Sequence, residues 1–475
     1  MENFDICIVG AGPAGIITAL ELQHLGYKVL LIEKNTFPRF HVGCSFSSGI
    51  SHWLTTLELT DLLSPALLHK HSMTSLLWED NTIINKYEHG LTVDRGIFDQ
   101  LLLQHVISLG VHVIQPVTDV RVQEMPDTTW MIHVQKENTF LQFRAQFLVE
   151  ATGRRSLVKT GKKSSLPPLT ATYAFLPQSF KHPIVEASAE GWFWGTPFKD
   201  VCLIAYFSHP TAVQKYKNSN NCYTAALQTF QTASLLIPNN LQTFTCNASS
   251  YEDKSPIASN YIKVGDAAYT TDPISAQGVT KAIKSAVHAS KVIHTLLQQS
   301  HMNEHAIAYY KQLIRRDVMQ HDQWMNDFYG RQQIFETPFW QQYSGLHTMD
   351  KTAGIHFHLE PQDLLMIHPD LNFVKSPVLG MRFIEVQNAV VKKRYEEPYV
   401  FIDNLLIVPI LKLIHQQTVF NTINLLYKHY PHVNPIYLLR YLINHQLIMK
   451  KEYAINEKAI DPNFFKDSYK EERLS

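Results

Sequence analysis

The chain has 475 residues, more than a single hydrophobic core usually supports, so two or three packed units are expected. Its 42 basic and 42 acidic residues balance without a run of one sign, which argues against a nucleic-acid-binding surface. The five scattered cysteines form no C-x-x-C pair, the amino terminus lacks a signal-peptide pattern, and the most apolar stretch is too short for a bilayer. We therefore expect a cytoplasmic protein without a membrane span.

The first 33 residues predict the opening unit of a parallel sheet. Residues 6–9 form a short apolar run, residues 16–25 carry apolar side chains at helical spacing, and residues 29–32 form a second apolar run. A strand, a helix and a second strand over this length make one βαβ unit, in which the two strands are parallel.

Short β-like runs alternate with polar turns over residues 72–88, 111–150 and 170–262. A helix is expected over residues 95–109, between the first two of these segments. A further helix, over about residues 279–297, leads the chain back to the opening unit. The pattern predicts an antiparallel sheet inserted into a nucleotide-binding type of domain.

The carboxy-terminal part is predicted to be helical after residue 300. Near its end, residues 405–415, 419–430 and 435–445 are three short apolar-periodic segments, followed by a β-like run at 447–449. This order resembles a winged helix-turn-helix. Because the chain lacks a basic stripe, we expect the unit to dock a peptide or carrier protein, or to act as a lid or dimer surface, rather than to bind DNA.

The turn after the first strand carries a dinucleotide-binding pattern, since residues 10–15 read G-A-G-P-A-G and Glu33 ends the next strand. Gly10 makes the tight turn, Gly12 lets the backbone approach a pyrophosphate, and Gly15 allows close packing of helix and strand. The helix N-terminus offers N–H groups to phosphates, and Glu33 can accept hydrogen bonds from ribose hydroxyl groups. The cofactor-binding residues expected here are Gly10, Gly12, Pro13, Ala14, Gly15, Glu33 and Lys34.

Four further segments resemble the superfamily of FAD-dependent monooxygenases and flavin-dependent halogenases. They are residues 38–43 (P-R-F-H-V-G), 94–99 (D-R-x-x-F-D), 147–154 (F-L-V-E-A-T-G-R) and 264–268 (V-G-D-A-A). The resemblance covers residues 1–300 and implies FAD as the cofactor, in a Rossmann-type α/β fold like that of glutathione reductase and p-hydroxybenzoate hydroxylase. It implies contacts with FAD for Arg39, Arg95, Thr152, Gly153 and Asp266.

These patterns together give the expected domain boundaries. The domains are residues 1–70 for the Rossmann βαβ part of an FAD-binding domain, 71–90 and 165–260 for a substrate-binding sheet, 91–164 and 261–300 for the rest of the FAD-binding domain, 301–400 for a helical extension, and 401–475 for the winged-helix-like unit.

Two motifs bear on the reaction. Residues 192–197 (W-F-W-G-T-P) resemble the W-x-W-x-x-P signature of flavin-dependent halogenases, in which Trp192 and Trp194 would wall the tunnel between flavin and substrate. The alternative is an ordinary aromatic strand of the core. Residues 272–279 (D-P-I-S-A-Q-G-V) resemble the P-x-x-x-x-G loop over the isoalloxazine edge, and their A-Q-G is closer to hydroxylases than to halogenases. This loop adds Pro273, Ala276, Gln277 and Gly278 to the expected cofactor contacts.

Halogenases use a lysine in the tunnel to steer hypohalous acid, and Lys70 lies in about the right region. His71 matches the spacing from Trp78 equally well, and Lys70 could instead be a solvated surface lysine. We take Lys70, His71, Trp192 and Trp194 as the candidate catalytic residues. No metal is expected, because His69 and His71 have no third ligand in view.

Hydroxylases that take hydride directly usually carry Asp-Gly where this chain has Thr152-Gly153, and the sequence holds no second nucleotide motif. The resemblance therefore implies reduced flavin from a separate NAD(P)H-dependent reductase, with O₂ as co-substrate. Our first interpretation is an FAD-dependent monooxygenase that uses a flavin C4a-hydroperoxide to hydroxylate an aromatic substrate, free or bound to a peptide or carrier protein. It is similar to the flavoproteins of tryptophylquinone maturation.

Three alternatives remain open at the level of sequence. The chain could be a true flavin-dependent halogenase, which would brominate phenolic or indolic compounds. It could be a flavin reductase that saturates isoprenoid double bonds, which would act without O₂. It could also be a non-catalytic flavoprotein that binds a partner.

Overall fold

The computed structural model describes residues 2–177, 179–233, 235–344, 359–392 and 397–451. These residues form two compact units, the first of residues 2–344 with 381–383 and the second of 359–380 with 384–451. None of the helices in these ranges has the length and apolar character needed to cross a membrane.

The first unit contains both the βαβ opening and the predicted inserted sheet. Its strands are β1 Glu2–Val9, β2 Val29–Ile32, β3 Ser45–Ser47, β4 Leu67–His71, β5 Thr74–Leu77, β6 Ile84–Lys86, β7 Gly90–Val93, β8 His112–Ile114, β9 Asp119–Glu124, β10 Trp130–Lys136, β11 Thr139–Glu150, β12 Lys162–Lys163, β13 Thr170–Pro177, β14 Ile184–Ser188, β15 Gly191–Phe198, β16 Val201–Ser208, β17 Phe244–Asn247, β18 Tyr251–Asp253, β19 Ile257–Ala258, β20 Tyr261–Lys263 and β21 Tyr269–Thr270. Its helices are α1 Pro13–His24, α2 Gly49–Thr56, α3 Thr60–Leu63, α4 Arg95–Ser108, α5 Pro210–Lys215, α6 Ser219–Leu227, α7 Gly278–Gln298, α8 Asn303–Gly330 and α9 Pro338–Ser344.

The main sheet has the strand order β19-β20-β11-β1-β2-β8. The strands β20, β11, β1, β2 and β8 are parallel to their neighbours in this order, and the helices α1 and α7 pack together beside them. The strand β1 is buried from Ile6 to Val9 because its apolar run is covered on both faces, as in other parallel sheets. The predicted Rossmann-type α/β fold is confirmed.

Two glycines of the first turn are required by backbone packing. Gly10 has φ +108°, and a β-carbon there would lie 2.3 Å from the carbonyl oxygen of Ala151. A β-carbon on Gly15 would lie 1.9 Å from the carbonyl oxygen of Gly10. The helix α1 can therefore approach the ends of β1 and β11 closely only because both positions lack a side chain.

The seven-stranded sheet has the order β17-β13-β16-β15-β14-β5-β6 and draws its strands from residues 74–86 and 170–247. Its strands are antiparallel except for the pair β5 and β14. One face packs in a cluster with Trp78, Ile274 and the aromatic residues of α8 and α9. The opposite face packs in a cluster with α5 and α6. The sheet thus separates two hydrophobic cores.

The second unit contains the predicted helices of the carboxy terminus. Its elements are β22 Leu364–Ile367, β23 Leu371–Leu379, β24 Ile384–Lys392, β25 Phe401–Ile402, β26 Leu405–Leu406, α10 Ile407–Ile414, β27 Gln417–Thr418, α11 Val419–His429, α12 Pro435–Asn444 and β28 Ile448–Lys450. The three helices and the trailing strand follow the predicted order, and they share one apolar core with β22.

The expectation of a wholly helical segment over residues 301–400 is wrong in its second half. Helices cover residues 303–330 and 338–344, but residues 364–367, 371–379 and 384–392 are strands. The last two pair along their whole length, from Leu371 with Lys392 to Leu379 with Ile384. The described strands β22 to β24 belong to the second compact unit, which therefore begins before residue 401.

Candidate functional site

The parallel strands of the main sheet end together, and the residues that follow them lie at one edge. Gly10 follows β1, Glu33 follows β2, Thr152 follows β11 and Asp266 follows β20. Ligands of open α/β sheets bind at this carboxyl edge, because the strand ends and helix N-termini meet there. The structure thus brings together four of the segments that the sequence predicted to contact a cofactor.

Glu33 lies directly beside the glycine turn. Its carboxylate is 3% exposed and accepts hydrogen bonds from the backbone N–H of Ala11 at 2.7 Å and of Asn35 at 2.9 Å. The same carboxylate pairs with the guanidinium of Arg39 at 3.1 Å. The sequence-predicted residues Glu33 and Arg39 therefore meet at the turn, whereas Lys34 is exposed to solvent.

The turn has the features of a pyrophosphate site. A β-carbon on Gly12 would find only the Nη2 atom of Arg39 within 4 Å, at 3.9 Å, so the space over Gly12 is open. The helix α1 has no side-chain cap at Gly12, which leaves its N-terminus without a side-chain acceptor. The buried Nε atom of Arg39 has no hydrogen-bond partner among the described residues. An open cradle with free donors fits the phosphates of FAD.

Asp266 lies at the opposite side of this edge, in a short turn after β20 that packs on α1. A β-carbon on Gly265 would lie 2.7 Å from that of Ala14, so the turn and the helix touch. The carboxylate of Asp266 pairs with Lys281 of α7 at 2.6 Å and faces Arg154 at 3.9 Å. Burial alone would raise the pKa of Asp266, but the charges of Lys281 and Arg154 hold it below its ordinary value. Asp266 is therefore an anion suited to accept hydrogen bonds from hydroxyl groups.

Two predicted contacts are already engaged within the protein. Arg95 forms a two-pronged ion pair with Asp99 of the same helix, with both N–O distances 3.0 Å, and its Nη1 atom is 3.5 Å from the carbonyl of Gly43. Thr152 donates to the buried carboxylate of Glu150 at 2.9 Å, and Gly153 has φ +67°. Contacts of Arg95, Thr152 and Gly153 with FAD remain predictions.

The loop that follows β21 approaches the seven-stranded sheet. Pro273 begins a short 3-10 turn capped by the Asp272 side chain, which accepts from the N–H of Ile274 at 3.0 Å. Ala276 has φ +50°, and Gln277 leads into α7 at Gly278, where a β-carbon would meet nothing within 4 Å. The N-terminus of α7 has no side-chain cap, so this loop also offers free N–H groups in open space.

The strand β15 presents Trp192 and Trp194 on the same face of the sheet, because side chains alternate and Phe193 points to the other face. Trp192 is fully buried and stacks on Phe207 with ring centroids 3.9 Å apart. Trp194 donates its indole N–H to the hydroxyl of Ser45 at 3.2 Å. The indole N–H of Trp192 is buried and faces the hydroxyl of Tyr329, in a geometry too poor for a regular hydrogen bond.

This face is closed by an aromatic cluster, which we define as Trp78, Trp192, Tyr329, Trp340 and Tyr343. The ring centroids of Trp78 lie 5.6 Å from Tyr329 and 5.3 Å from Trp340, and Tyr329 stacks on Tyr343 at 4.3 Å. Ile274 of the 272–278 loop packs in the same core. The aromatic cluster and the loop predicted to lie over the flavin edge are therefore neighbours in the structure.

The direction of the Lys70 side chain follows from its position in the small sheet of β3, β7 and β4. Past a bulge in β4, His69 pairs with Thr92 of β7 and His71 pairs with Gly90, so both histidines share a face with Thr92. The hydroxyl of Thr92 lies 3.1 Å from that of Thr196 on β15. Lys70 falls between the two histidines, so its side chain leaves the opposite face of the small sheet, and it is exposed.

His71 lies against the backbone of Gly90, where an added β-carbon would collide with its ring. Burial, together with His69 and His182, lowers the pKa of His71. Its Nδ1 atom and the Nε2 atom of His69 are buried without a hydrogen-bond partner among the described residues. His71 therefore lies on the face of the small sheet that meets β15, the strand of Trp192 and Trp194. Lys70, the fourth candidate catalytic residue, lies on the opposite face.

Sequence reasoning missed several residues of this region. Lys281 is revealed only by its ion pair with Asp266, since a lysine inside a helix has no distinctive pattern. Asp272 receives a hydrogen bond from Tyr329 of α8 at 3.2 Å, and its N–H donates to His321 at 2.9 Å. The long separation of these partners in sequence left no local signal. The one local feature that could have drawn attention to Asp272 is its acidic side chain directly before Pro273.

Comparison with known proteins gives consistent results. The family model described as tryptophan halogenase matches residues 63–355, and the model described as FAD dependent oxidoreductase matches residues 5–78. A Pseudomonas fluorescens chlorinase of pyrrole-2-carbonyl groups on a peptidyl-carrier protein is 24% identical over an alignment of 392 residues, which covers 72% of this chain and 86% of the relative.

Two solved structures have the same fold over nearly the whole chain. The peptidyl tryptophan dihydroxylase QhpG, described as essential for tryptophylquinone cofactor biogenesis, has a TM-score of 0.68 and 22% identity over 93% of this chain and 99% of its own. The flavin-dependent halogenase CmlS has a TM-score of 0.76 and 18% identity over 95% of this chain and 96% of its own. The chain belongs to the tryptophan halogenase family and is an FAD-dependent oxidoreductase.

Proposed function

We propose that this enzyme is an FAD-dependent monooxygenase that inserts oxygen into an electron-rich aromatic ring, presented on a peptide or a carrier protein. The observation that carries the proposal is the direction of Lys70. Its side chain leaves the small sheet on the face opposite to the one that meets the Trp-bearing strand. A lysine in that position is poorly placed to steer hypohalous acid past Trp192 and Trp194.

The residues have separate tasks in this reaction. Gly12 and the N-terminus of α1 would hold the pyrophosphate of FAD. Glu33 would accept hydrogen bonds from the hydroxyl groups of its ribose, and Asp266 from those of its ribityl chain. The N–H groups at the start of α7 would favour negative charge on the flavin ring. When bound, reduced FAD supplies the two electrons with which O₂ is activated.

The aromatic cluster would keep water away from the reacting atoms. Its tryptophan and tyrosine rings are almost fully buried, so a substrate ring placed beside them would be desolvated and held by edge and face contacts.

The form of the substrate is proposed from the relatives. The chlorinase acts on a ring attached to a carrier protein, and QhpG is named for a peptidyl tryptophan. Both rings are electron-rich heteroaromatics tethered to a macromolecule, and we propose the same class of substrate here. A separate flavin reductase would supply the reducing equivalents, and all five cysteines are free thiols, which suits the cytoplasmic location that we propose.

Halogenation is the second candidate, because the family model and named relatives are halogenases and β15 carries their W-x-W-x-x-P pattern. The test is to incubate the enzyme with a flavin reductase, NADH, O₂ and bromide, and to offer indole and pyrrole rings both free and on a carrier protein or peptide. We expect oxygenated product from the tethered ring. A brominated product would reverse the order of the two candidates.

A further inference from the structure

The buried carboxyl of Asp272 is an unusual group for a loop beside a cofactor. Its side chain is 5% exposed and accepts hydrogen bonds from two neutral donors, the N–H of Ile274 at 3.0 Å and the hydroxyl of Tyr329 at 3.2 Å. Among the described residues it has no ion pair. Burying a carboxylate without a cation is costly, so such a group is more often functional than structural.

The partner of Asp272 reaches into the aromatic cluster. Tyr329 is 2% exposed, and its ring contacts Trp78, Trp340 and Tyr343. Burial and then the charge of Asp272 raise the pKa of Tyr329, so its hydroxyl remains a donor to the carboxylate. The Asp272–Tyr329 pair therefore connects the loop predicted to lie at the flavin edge with the cluster that would hold the substrate.

A third polar group lies at the same place. The indole N–H of Trp192 faces the Tyr329 hydroxyl, and this hydrogen-bonding interaction opposes the rise in the pKa of Tyr329, although its geometry falls short of a regular hydrogen bond. By contrast, the indole N–H groups of Trp78, Trp194 and Trp340 each have an acceptor. The Trp192 indole N–H, the Tyr329 hydroxyl and the Asp272 carboxyl therefore adjoin one another inside the aromatic cluster.

We propose that Asp272, acting through Tyr329, accepts the proton that the aromatic ring loses when it is oxygenated. The proposal rests on the proposed function and names the residues that finish the reaction. Here Asp272 and Tyr329 are a proton-accepting pair, and Tyr329 is the member nearer the cluster.

The step balances as follows for a ring C–H. O₂ is the oxidant and reduced FAD the reductant: one oxygen atom bonds to the ring carbon and the other leaves as water. The C–H bond then breaks, and its electron pair restores the aromatic ring. The released proton passes to the Tyr329 oxygen while the Tyr329 proton moves to Oδ2 of Asp272.

The protonation equilibrium of Asp272 suits this task. Burial raises the pKa of Asp272 to about 7, against the lowering effect of the hydrogen bonds from Ile274 and Tyr329. His321, which accepts the Asp272 N–H, is neutral because burial lowers its pKa to about 4. The titratable and charged groups that face Asp272 are Arg154, His321, Asp322, Tyr329 and Tyr343, with Lys281 behind His321. A base with a pKa near neutrality accepts a proton efficiently and releases it between turnovers.

The test compares Asp272→Asn and Tyr329→Phe with the control Asp327→Asn, which changes an exposed carboxyl on the helix α8 of Tyr329 that pairs with Arg331. Each FAD-loaded variant is given reduced flavin, O₂ and a ring substrate with hydrogen or deuterium at the reacting carbon. We expect Asp272→Asn to lose roughly 100-fold or more of the oxygenation rate. Flavin reoxidation should continue, with the oxygen released as hydrogen peroxide, and deuterium should slow the variant more than the wild type.

The pH profile separates proton transfer from a structural role. The wild-type rate should rise with pH through about 7, where Asp272 becomes a carboxylate, and the Asp272→Asn rate should not. Tyr329→Phe removes a hydrogen bond that favours the carboxylate, so its midpoint should move to higher pH. Asp327→Asn should keep the wild-type rate within about twofold and leave the midpoint unchanged, because the Asp327 carboxylate is exposed and does not face Asp272.

An Asp272→Asn enzyme with the wild-type rate and pH profile would overturn the inference. If that variant fails to bind FAD, the Tyr329→Phe midpoint decides, and an unchanged midpoint would equally overturn it. A wild-type enzyme that forms no oxygenated product refutes the proposed function instead, so the two failures are distinguishable.

Discussion

A single methyl group at Gly12 should separate folding from cofactor binding. The backbone there has φ −78° and ψ 177°, which alanine adopts freely, and the added carbon would lie 3.9 Å from its nearest neighbour, Arg39. The Gly12→Ala variant should therefore fold normally. Its cost to the unliganded protein should be below about 1 kcal/mol, the usual range for glycine replaced by alanine at a helix N-cap.

The same methyl group would occupy the space where the pyrophosphate approaches the turn. If it displaces the phosphates from two backbone N–H donors, each charge-assisted hydrogen bond lost weakens binding by about 1.5–3 kcal/mol. The total is about 3 kcal/mol or more, which corresponds to an increase in the Kd for FAD of roughly 100-fold.

The assay is titration of FAD into the unliganded protein, followed by flavin fluorescence, with thermal unfolding measured on the same samples. Gly26→Ala is the matched control, because Gly26 ends the same helix with φ +87° and has no neighbour within 4 Å. It should lower the Tm through backbone strain while leaving the Kd unchanged. A Gly12→Ala protein that binds FAD as tightly as the wild type would refute the assignment of the turn.

Three further predictions follow from buried charges and from the source of electrons. Lys263 is fully buried between Asp253 at 2.7 Å and Glu150 at 3.9 Å, so Lys263→Met should lower the free energy of unfolding by about 3–5 kcal/mol in urea, whereas Lys163→Met, in an exposed pair with Glu252, should change it by less than about 1 kcal/mol. Equal losses would contradict the buried network. Burial raises the pKa of Asp272 from 3.8 to about 7, so the folded state binds an extra proton between these pH values. The free energy of unfolding should therefore fall as pH rises through this window, by up to about 4 kcal/mol, and Asp272→Asn should not show this loss. Urea unfolding of both proteins from pH 4 to 8 measures it, and the same pH dependence in both would contradict the prediction. NADPH alone should reduce the bound FAD slowly, and rapid stoichiometric bleaching in an anaerobic cuvette would show that no separate reductase is needed.

The sequence predicted those parts of the fold that depend on local patterns. The apolar runs at 6–9 and 29–32, the glycine turn and the helices at 95–108 and 278–298 lie where the pattern placed them. These features follow from hydrophobic periodicity and from glycines that no other residue can replace, such as Gly10 and Gly15. The strands Leu371–Leu379 and Ile384–Lys392 were missed although Pro369-Asp370 and Gly380 mark their turns, because polar and apolar residues alternate irregularly within them.

The reacting part of the site depends on contacts between distant residues. The direction of Lys70 is set by a bulge between Leu67 and His69, and a shift of one residue exchanges the two faces of a strand. Asp272 and Tyr329 are 57 positions apart, and their hydrogen bond exists only because α8 packs on the 272–278 loop. Neither the direction of Lys70 nor the Asp272–Tyr329 hydrogen bond can be predicted from the spacing of residues in the sequence.

The central claim is that oxygen, and not halide, enters the substrate ring. The direct measurement is a single turnover in which the anaerobically reduced enzyme, holding a carrier- or peptide-tethered ring, is mixed with isotopically heavy O₂ in the presence of excess bromide. The account predicts a product, read by mass spectrometry, that carries one heavy oxygen atom and no bromine. A brominated ring without heavy oxygen would contradict it.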